Sequence, residues 1–209
     1  LRVDEVLAAA SVIPVLEVEK LSDAAPLARA LAEGGLRVVE LTLRTACALD
    51  ALGAMKAAAP SLIVGMGTVR TAQDIAASRV AGAEFLVSPG ASRALLEALA
   101  ESGLPALPGV ATASEAMEAA DAGFRALKFF PAEPAGGAPY LKSLAGPLPD
   151  LRFCPTGGVT PANAAGYFAI PSVACVGGSW IATRAAITEG RFAEIARLAA
   201  EAHALKPKR

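Results

Sequence analysis

Short apolar runs alternate with longer, alanine- and leucine-rich amphipathic runs along the whole chain. Residues 3–10 predict a lead-in helix. A β-branched run over 12–18 follows, then a helix that opens at Ser22-Asp23 and stops at Gly34-Gly35, with capping residues at one end and glycine at the other. Further strands are predicted over 38–43, 62–65, 84–87, 105–108, 125–130, 151–154 and 173–176. Helices are predicted over 46–58, 71–81, 92–101, 112–121, 139–144 and 192–203, and another opens at Thr160-Pro161. Strands this short and apolar on both faces suit a parallel sheet covered by helices. Eight strand-then-helix units in 209 residues leave roughly 26 residues each, the low end for an eight-fold barrel. The expected fold class is therefore α/β: a single-domain (β/α)8 TIM barrel over residues 1–209, with a short N-terminal helix and a basic tail over 204–209. An open doubly wound sheet is the alternative, but no GxGxxG turn follows the first strand.

Composition narrows the partners. Nineteen basic and twenty acidic residues leave a net charge of -1, without the footprint of a nucleic-acid binder. Lys206-Pro207-Lys208-Arg209 is the one basic cluster and reads as a solubilising end. No apolar run approaches the roughly 18 residues of a membrane span, and Asp4 and Glu5 come where a signal peptide would be basic. Cys47, Cys154 and Cys175 are far apart, with no CxxC pair, which fits a reduced, cytoplasmic setting. His203 is the only histidine and reads as solvated; no His-based triad or multi-His metal site is possible, and no metal is expected.

The chemistry of such a barrel lies at the C-terminal ends of its strands. Alternation puts Val38, Glu40 and Thr42 on one face of the second strand, and Ala126, Lys128 and Phe130 on one face of the sixth. If both faces point inward, a buried carboxylate and a buried lysine share the interior. Burial disfavours an ammonium, and a neutral amine is a nucleophile toward carbonyls. The pair reads equally as a structural ion pair or as a nucleophile with its proton shuttle. Gly157-Gly158 follows the seventh strand and Gly177-Gly178-Ser179 the eighth, the usual place for a phosphate in these barrels. One Gly-Gly is commonly a turn; the paired occurrence favours backbone N–H groups and a hydroxyl around a phosphate. Arg44, beside Glu40 in sequence and expected near Thr68, is a surface charge or a fork for a substrate carboxylate.

Six segments together resemble the bacterial class I aldolases that cleave 2-keto-3-deoxy-6-phosphogluconate (KDPG), often also active on 4-hydroxy-2-oxoglutarate. They are Val39-Glu40-Leu41-Thr42-Leu43-Arg44-Thr45, Gly65-Met66-Gly67-Thr68-Val69, Ser88-Pro89-Gly90, Lys128-Phe129-Phe130-Pro131-Ala132-Glu133, Arg152-Phe153-Cys154-Pro155-Thr156-Gly157-Gly158 and Gly177-Gly178-Ser179-Trp180. The resemblance implies a lyase of the Entner–Doudoroff pathway that works through a lysine imine, with no metal or other cofactor, as a cytoplasmic homotrimer acting on a phosphorylated keto acid. It implies that Lys128 is the Schiff-base lysine, Glu40 the general acid/base, and Arg44 and Thr68 the carboxylate grip. It places Gly157, Gly158, Gly178 and Ser179 at the phosphate, Thr156 at the stereochemical choice, and Pro89 and Phe130 in the pocket wall. Met66, where a smaller residue is usual, is expected to narrow the pocket beside Thr68. The galactonate epimer as substrate, a sugar-phosphate isomerase or epimerase on the same barrel, and a non-enzymatic sugar-phosphate sensor are the alternatives.

Overall fold

The computed structural model describes residues 1–205; the basic cluster read as a solubilising end, Lys206-Pro207-Lys208-Arg209, lies outside the described residues. Among the described residues nine strand segments form the wall: β1 Val12–Leu16, β2 Val38–Thr42, β3 Ile63–Gly67, β4 Leu86–Val87, β5 Ala106–Leu107, β6 Gly109–Val110, β7 Ala126–Phe129, β8 Arg152–Pro155 and β9 Val176–Gly178. All pair in parallel. One sheet runs β5-β4-β3-β2-β1-β9 and the other β6-β7-β8. A bridge from Thr156 to Gly177 joins β8 to β9. β5 and β6 are halves of one stave, split at Pro108 because proline has no N–H for the ladder. The Pro108 carbonyl still accepts from the Lys128 N–H at 2.9 Å. The ring therefore closes with eight staves, the expected TIM barrel.

Among the described residues there are ten helices: α1 Val3–Ala9, α2 Leu21–Glu33, α3 Ala48–Ala58, α4 Ala72–Val80, α5 Arg93–Glu101, α6 Ala113–Asp121, α7 Gly137–Ala145, α8 Ala164–Phe168, α9 Arg184–Thr188 and α10 Phe192–His203. α4 and α6 open in capping boxes, Thr71 with Asp74 and Thr112 with Glu115, which satisfy otherwise orphaned N–H groups. Of the boundaries that differ from expectation, two have a visible cause. α2 starts at Leu21, and the Ser22 hydroxyl donates to Asp23 instead of capping. The last strand slides from 173–176 to Val176–Gly178, because pairing with β1 begins where the Val176 N–H meets the Ser11 carbonyl at 3.2 Å. α9 was not foreseen at all.

Strand alternation sorts the apolar residues into two cores. Val39, Leu41, Leu127, Phe129 and Phe153 belong to the layer between sheet and helices. Ile13, Val38, Phe85, Val87, Leu107, Ala126, Cys154 and Cys175 belong to the barrel interior, where Val6 and Leu7 of α1 join them. The lead-in helix thus plugs the end of the barrel away from the strands' C-termini. Burying Val6 and Leu7, 0% and 2% exposed, stabilises that closure by about 1.5–3 kcal/mol each. Among the described residues no helix is long and apolar enough to cross a membrane.

The seam between α2 and α10 depends on Gly34. A Cβ there would stand 2.4 Å from Ala199 Cβ and 2.6 Å from the Ala196 carbonyl oxygen. Backbone cannot yield as a side chain can, so Gly34→Ala is expected to destabilise the fold by about 1–3 kcal/mol. Urea titration should show a lower midpoint at an unchanged slope.

Candidate active site

β2 and β7 stand across the ring from one another, and each sends one charged side chain inward. Glu40 and Lys128 are both only 4% exposed. Lys128 Nζ donates to Glu40 Oε1 at 3.0 Å and to Oε2 at 3.2 Å. The Phe130 ring centroid lies 5.1 Å from the same nitrogen, close enough for a cation–π contact. Space for the carboxylate comes from the neighbouring strand: a Cβ on Gly67 would fall 2.2 Å from Glu40 Oε1. Thr42, next inward on β2, has its hydroxyl occupied by the Leu16 carbonyl at 2.8 Å.

Above this pair, Thr68 leaves β3 with φ 60, a left-handed conformation that a β-branched residue rarely adopts. Such a residue stores roughly 1–3 kcal/mol of strain and persists only where its surroundings hold it. Here the Leu43 N–H donates to the Gly67 carbonyl at 2.9 Å and the Val69 N–H to the Val87 carbonyl at 3.1 Å, clamping both sides. Met66 does not narrow the pocket. It is fully buried and packs in the layer between sheet and helices. Gly65 and Gly67, its neighbours on β3, are the residues that face Phe85 and Glu40.

Arg44 stands just past β2 and rests on Glu17, Nη1 to Oε1 at 2.6 Å. Glu17 also accepts from Arg184 Nη2. The two guanidiniums, Arg44 first, hold the Glu17 carboxyl below its ordinary range. Arg44 is thus poised at the mouth beside the β3 loop rather than against Glu40.

The glycine side of the site is built by close approaches. Gly157 and Gly158 have φ 100 and 80, which glycine alone adopts without strain. Their loop is laced to the segment after β7: the Ala132 N–H donates to the Thr156 carbonyl at 2.8 Å and the Glu133 N–H to the Gly157 carbonyl at 2.9 Å. Asn163 Nδ2 donates to the Gly158 carbonyl at 3.1 Å. The buried Tyr167 hydroxyl donates to Glu133, and burial together with that carboxylate raises the phenol pKa. Thr156 is buried, and Gly177 lets it fit; a Cβ there would meet its Oγ1 at 2.2 Å. Trp180 lies over Gly178, where a Cβ would meet the indole at 1.7 Å. Ser179 is exposed at the end of β9, and Pro89 bears on Gly109 where the β4 loop folds over.

Met66 apart, the residues singled out for the site lie on or just past the C-terminal ends of β2, β3, β4, β7, β8 and β9; direct contacts join Glu40, Lys128 and Phe130, while Arg44 and Ser179 stand apart from that pair. An amine, a carboxylate within hydrogen-bond reach of it, a guanidinium and a glycine-rich loop pair can together form and break an imine on an anionic keto acid. Sequence reasoning missed the roles of Glu17, Arg184 and the Tyr167–Glu133 contact. Glu17 carried a faint signal as the only charge in the first apolar run; Arg184 carried none. Among the described residues no group of three or more His, Cys, Asp or Glu could hold a metal ion.

A family model described as "Aldolase: KDPG and KHG aldolase" matches residues 3–198. The KHG/KDPG aldolase of Escherichia coli K12 is 47% identical over 199 residues, covering 95% of this chain and 93% of the relative. The structure of KDPG aldolase from Legionella pneumophila, with pyruvate captured as a covalent carbinolamine intermediate, superposes with a TM-score of 0.94 at 44% identity, covering 97% of this chain and 98% of that one. The aldolase of Zymomonas mobilis ZM4 with 3-phosphoglycerate gives 0.91 at 45% identity, covering 99% and 97%.

The Glu17 contacts set a pH dependence. A carboxylate whose folded pKa lies below its unfolded value adds stability above that unfolded value, and loses it as pH falls through the folded one. Replacing Glu17 by Gln should therefore lower unfolding free energy at pH 6, and the difference from wild type should shrink as pH falls below 4.5. Denaturant titrations of both proteins across pH 3–6, taken as a rough window around the carboxylate range, measure it.

Proposed function

The chain belongs to the family of KDPG and KHG aldolases, and from that premise we propose that Lys128 is its Schiff-base nucleophile and Glu40 its proton shuttle. The enzyme is a class I aldolase. It reversibly cleaves 2-dehydro-3-deoxy-6-phosphogluconate to pyruvate and D-glyceraldehyde 3-phosphate through a lysine imine, and also cleaves 4-hydroxy-2-oxoglutarate to pyruvate and glyoxylate. The observation that carries the residue assignment is the contact of Lys128 Nζ with both Glu40 oxygens, at 3.0 and 3.2 Å, with both side chains buried in the barrel.

The Lys128 ammonium gives up a proton to Glu40, and the lone pair of the freed amine attacks the C2 ketone. Glu40 returns that proton to the new oxygen, and water leaves the carbinolamine to give a cationic iminium. That cation is the electron sink. Glu40 takes the C4 hydroxyl proton, directly or through water, and the C3–C4 bonding electrons flow toward nitrogen. Glyceraldehyde 3-phosphate departs as the aldehyde and an enamine stays on Lys128. Protonation of C3 by Glu40 gives the pyruvate imine, and water hydrolyses it to pyruvate and the free amine. The iminium supplies the electron withdrawal that a metal supplies in class II aldolases, so no metal is required.

Arg44 and Thr68 are read as the grip on the substrate carboxylate, Arg44 keeping Nη1 on Glu17 while its other donors meet the substrate. Gly157, Gly158, Gly178 and Ser179 are read as the phosphate grip, Thr156 as the group that selects configuration at the cleaved carbon, and Pro89 and Phe130 as pocket wall. We read residues 1–209 as one catalytic domain, working as a cytoplasmic homotrimer. In support of the trimer, α3 and α4 leave an apolar groove lined by Leu49, Ala54, Ala76 and the exposed Val80.

Sodium borohydride added with pyruvate should inactivate the enzyme and leave a reduced three-carbon adduct that peptide mapping places on Lys128. An unmodified Lys128 would sink the assignment. Sedimentation equilibrium should return three times the 21.0 kDa chain mass; a monomer mass would exclude the trimer.

A further inference from the structure

The phosphate grip proposed above has a gap in its chemistry. Gly157, Gly158, Gly178 and Ser179 offer neutral donors only, whereas a phosphate monoester carries close to two negative charges near pH 7. A cation beside them would add a charge-assisted, two-pronged contact. Lys128 is buried on Glu40, and Arg44 stands at the end of β2, which β1 separates from β9.

One further cation borders this region. A cavity of about 360 Å³ opens beside Ser179, lined also by Val15, Glu17, Ala182, Thr183 and Arg184. Pairing of Pro14 with Gly178 sets the ends of β1 and β9 side by side, so Glu17 and Ser179 are neighbours at the mouth. Arg184 has a 59% exposed side chain and rests on two carboxylates, with Nη2 on Glu17 and Nε on Glu19 Oε1 at 3.2 Å. Glu17 has a second counter-ion in Arg44 on its other oxygen. Withdrawal of Arg184 therefore does not strand the Glu17 charge, and Glu19, 43% exposed, keeps its solvation.

We propose that Arg184 is a specificity residue, the cation that completes the phosphate subsite: it waits on Glu17 and Glu19 across the cavity from Ser179 and exchanges a carboxylate for the phosphate of the incoming substrate. The proposal rests on the aldolase reading above. It makes Glu17 the hinge of the mouth, holding Arg44 for one end of the substrate and releasing Arg184 to the other. An exposed ion pair with no further role would be nearly neutral on removal. A contact made only with phosphorylated substrate would instead separate two substrates of the same enzyme.

The test compares kcat/KM for 2-dehydro-3-deoxy-6-phosphogluconate and for 4-hydroxy-2-oxoglutarate, which carries no phosphate, in wild type, Arg184→Ala and Arg184→Lys. Arg184→Ala should lower the ratio of the two by about five- to tenfold, through KM of the phosphorylated substrate, as one partly solvated charged contact would. Arg184→Lys should fall between, keeping the charge but losing the fork. A ratio that does not move, or a parallel fall on both substrates as from a lost structural staple, overturns the proposal. Borohydride trapping with pyruvate on the same samples separates the two levels. An adduct on Lys128 with an unmoved ratio overturns the Arg184 role alone; no adduct in wild type overturns the aldolase reading and this role with it.

Discussion

The buried contact between Lys128 and Glu40 is the constraint to which the rest of the barrel answers. Taking two charges out of water costs several kcal/mol per ion, and their attraction seldom returns more than that. Such a pair is poor cement; well-packed apolar residues in its place would often serve stability as well. Its retention here is chemical. The barrel isolates the pair with the α1 plug and an apolar interior below it, and with the Phe130 ring beside it. Gly67 leaves the volume the carboxylate occupies. Each feature raises the penalty for losing one partner, since a lone charge so deeply buried is left without a counter-charge.

Charge at the mouth is arranged on the opposite principle. Arg44 and Arg184 are half-exposed and both rest on Glu17, Arg184 on Glu19 as well, where water competes with each pair. Weakly committed cations suit a site that must bind and release a multiply charged substrate. The strain at Thr68 belongs to the same design. The β3 loop is clamped through Leu43 and Val69, and the residue between them takes a conformation that the clamp, rather than its own preference, decides. Rigid staves carry the reacting pair while exposed loops carry the grip, so chemistry and binding can be adjusted separately.

Much of this was legible in the chain. The eight-fold alternation of apolar and amphipathic runs reports which backbone groups must pair with one another, and the capping residues Thr71, Ser92 and Thr112 mark three helix starts at their structural positions. Alternation on two strands placed Glu40 and Lys128 on inward faces. Where the reading slipped, a distant partner overrode a local preference. The final strand moved because its ladder begins at Ser11, more than 160 residues away in sequence. Met66 was expected in the pocket because it lies between two pocket glycines; the pleat sends it to the other side of the sheet.

The sequence by itself determined the barrel class, the inward lysine and carboxylate, and the glycine pairs after β8 and β9, because periodicity and residue chemistry are properties of the local chain. Only the tertiary structure decided that Arg44 rests on Glu17, that Arg184 shares that carboxylate from a short helix, and that α1 closes the barrel. These are contacts between side chains brought together by closure of the ring. An arginine in an alanine-rich segment looks the same in sequence whether its partner is water or a carboxylate 167 residues away, as Glu17 is from Arg184.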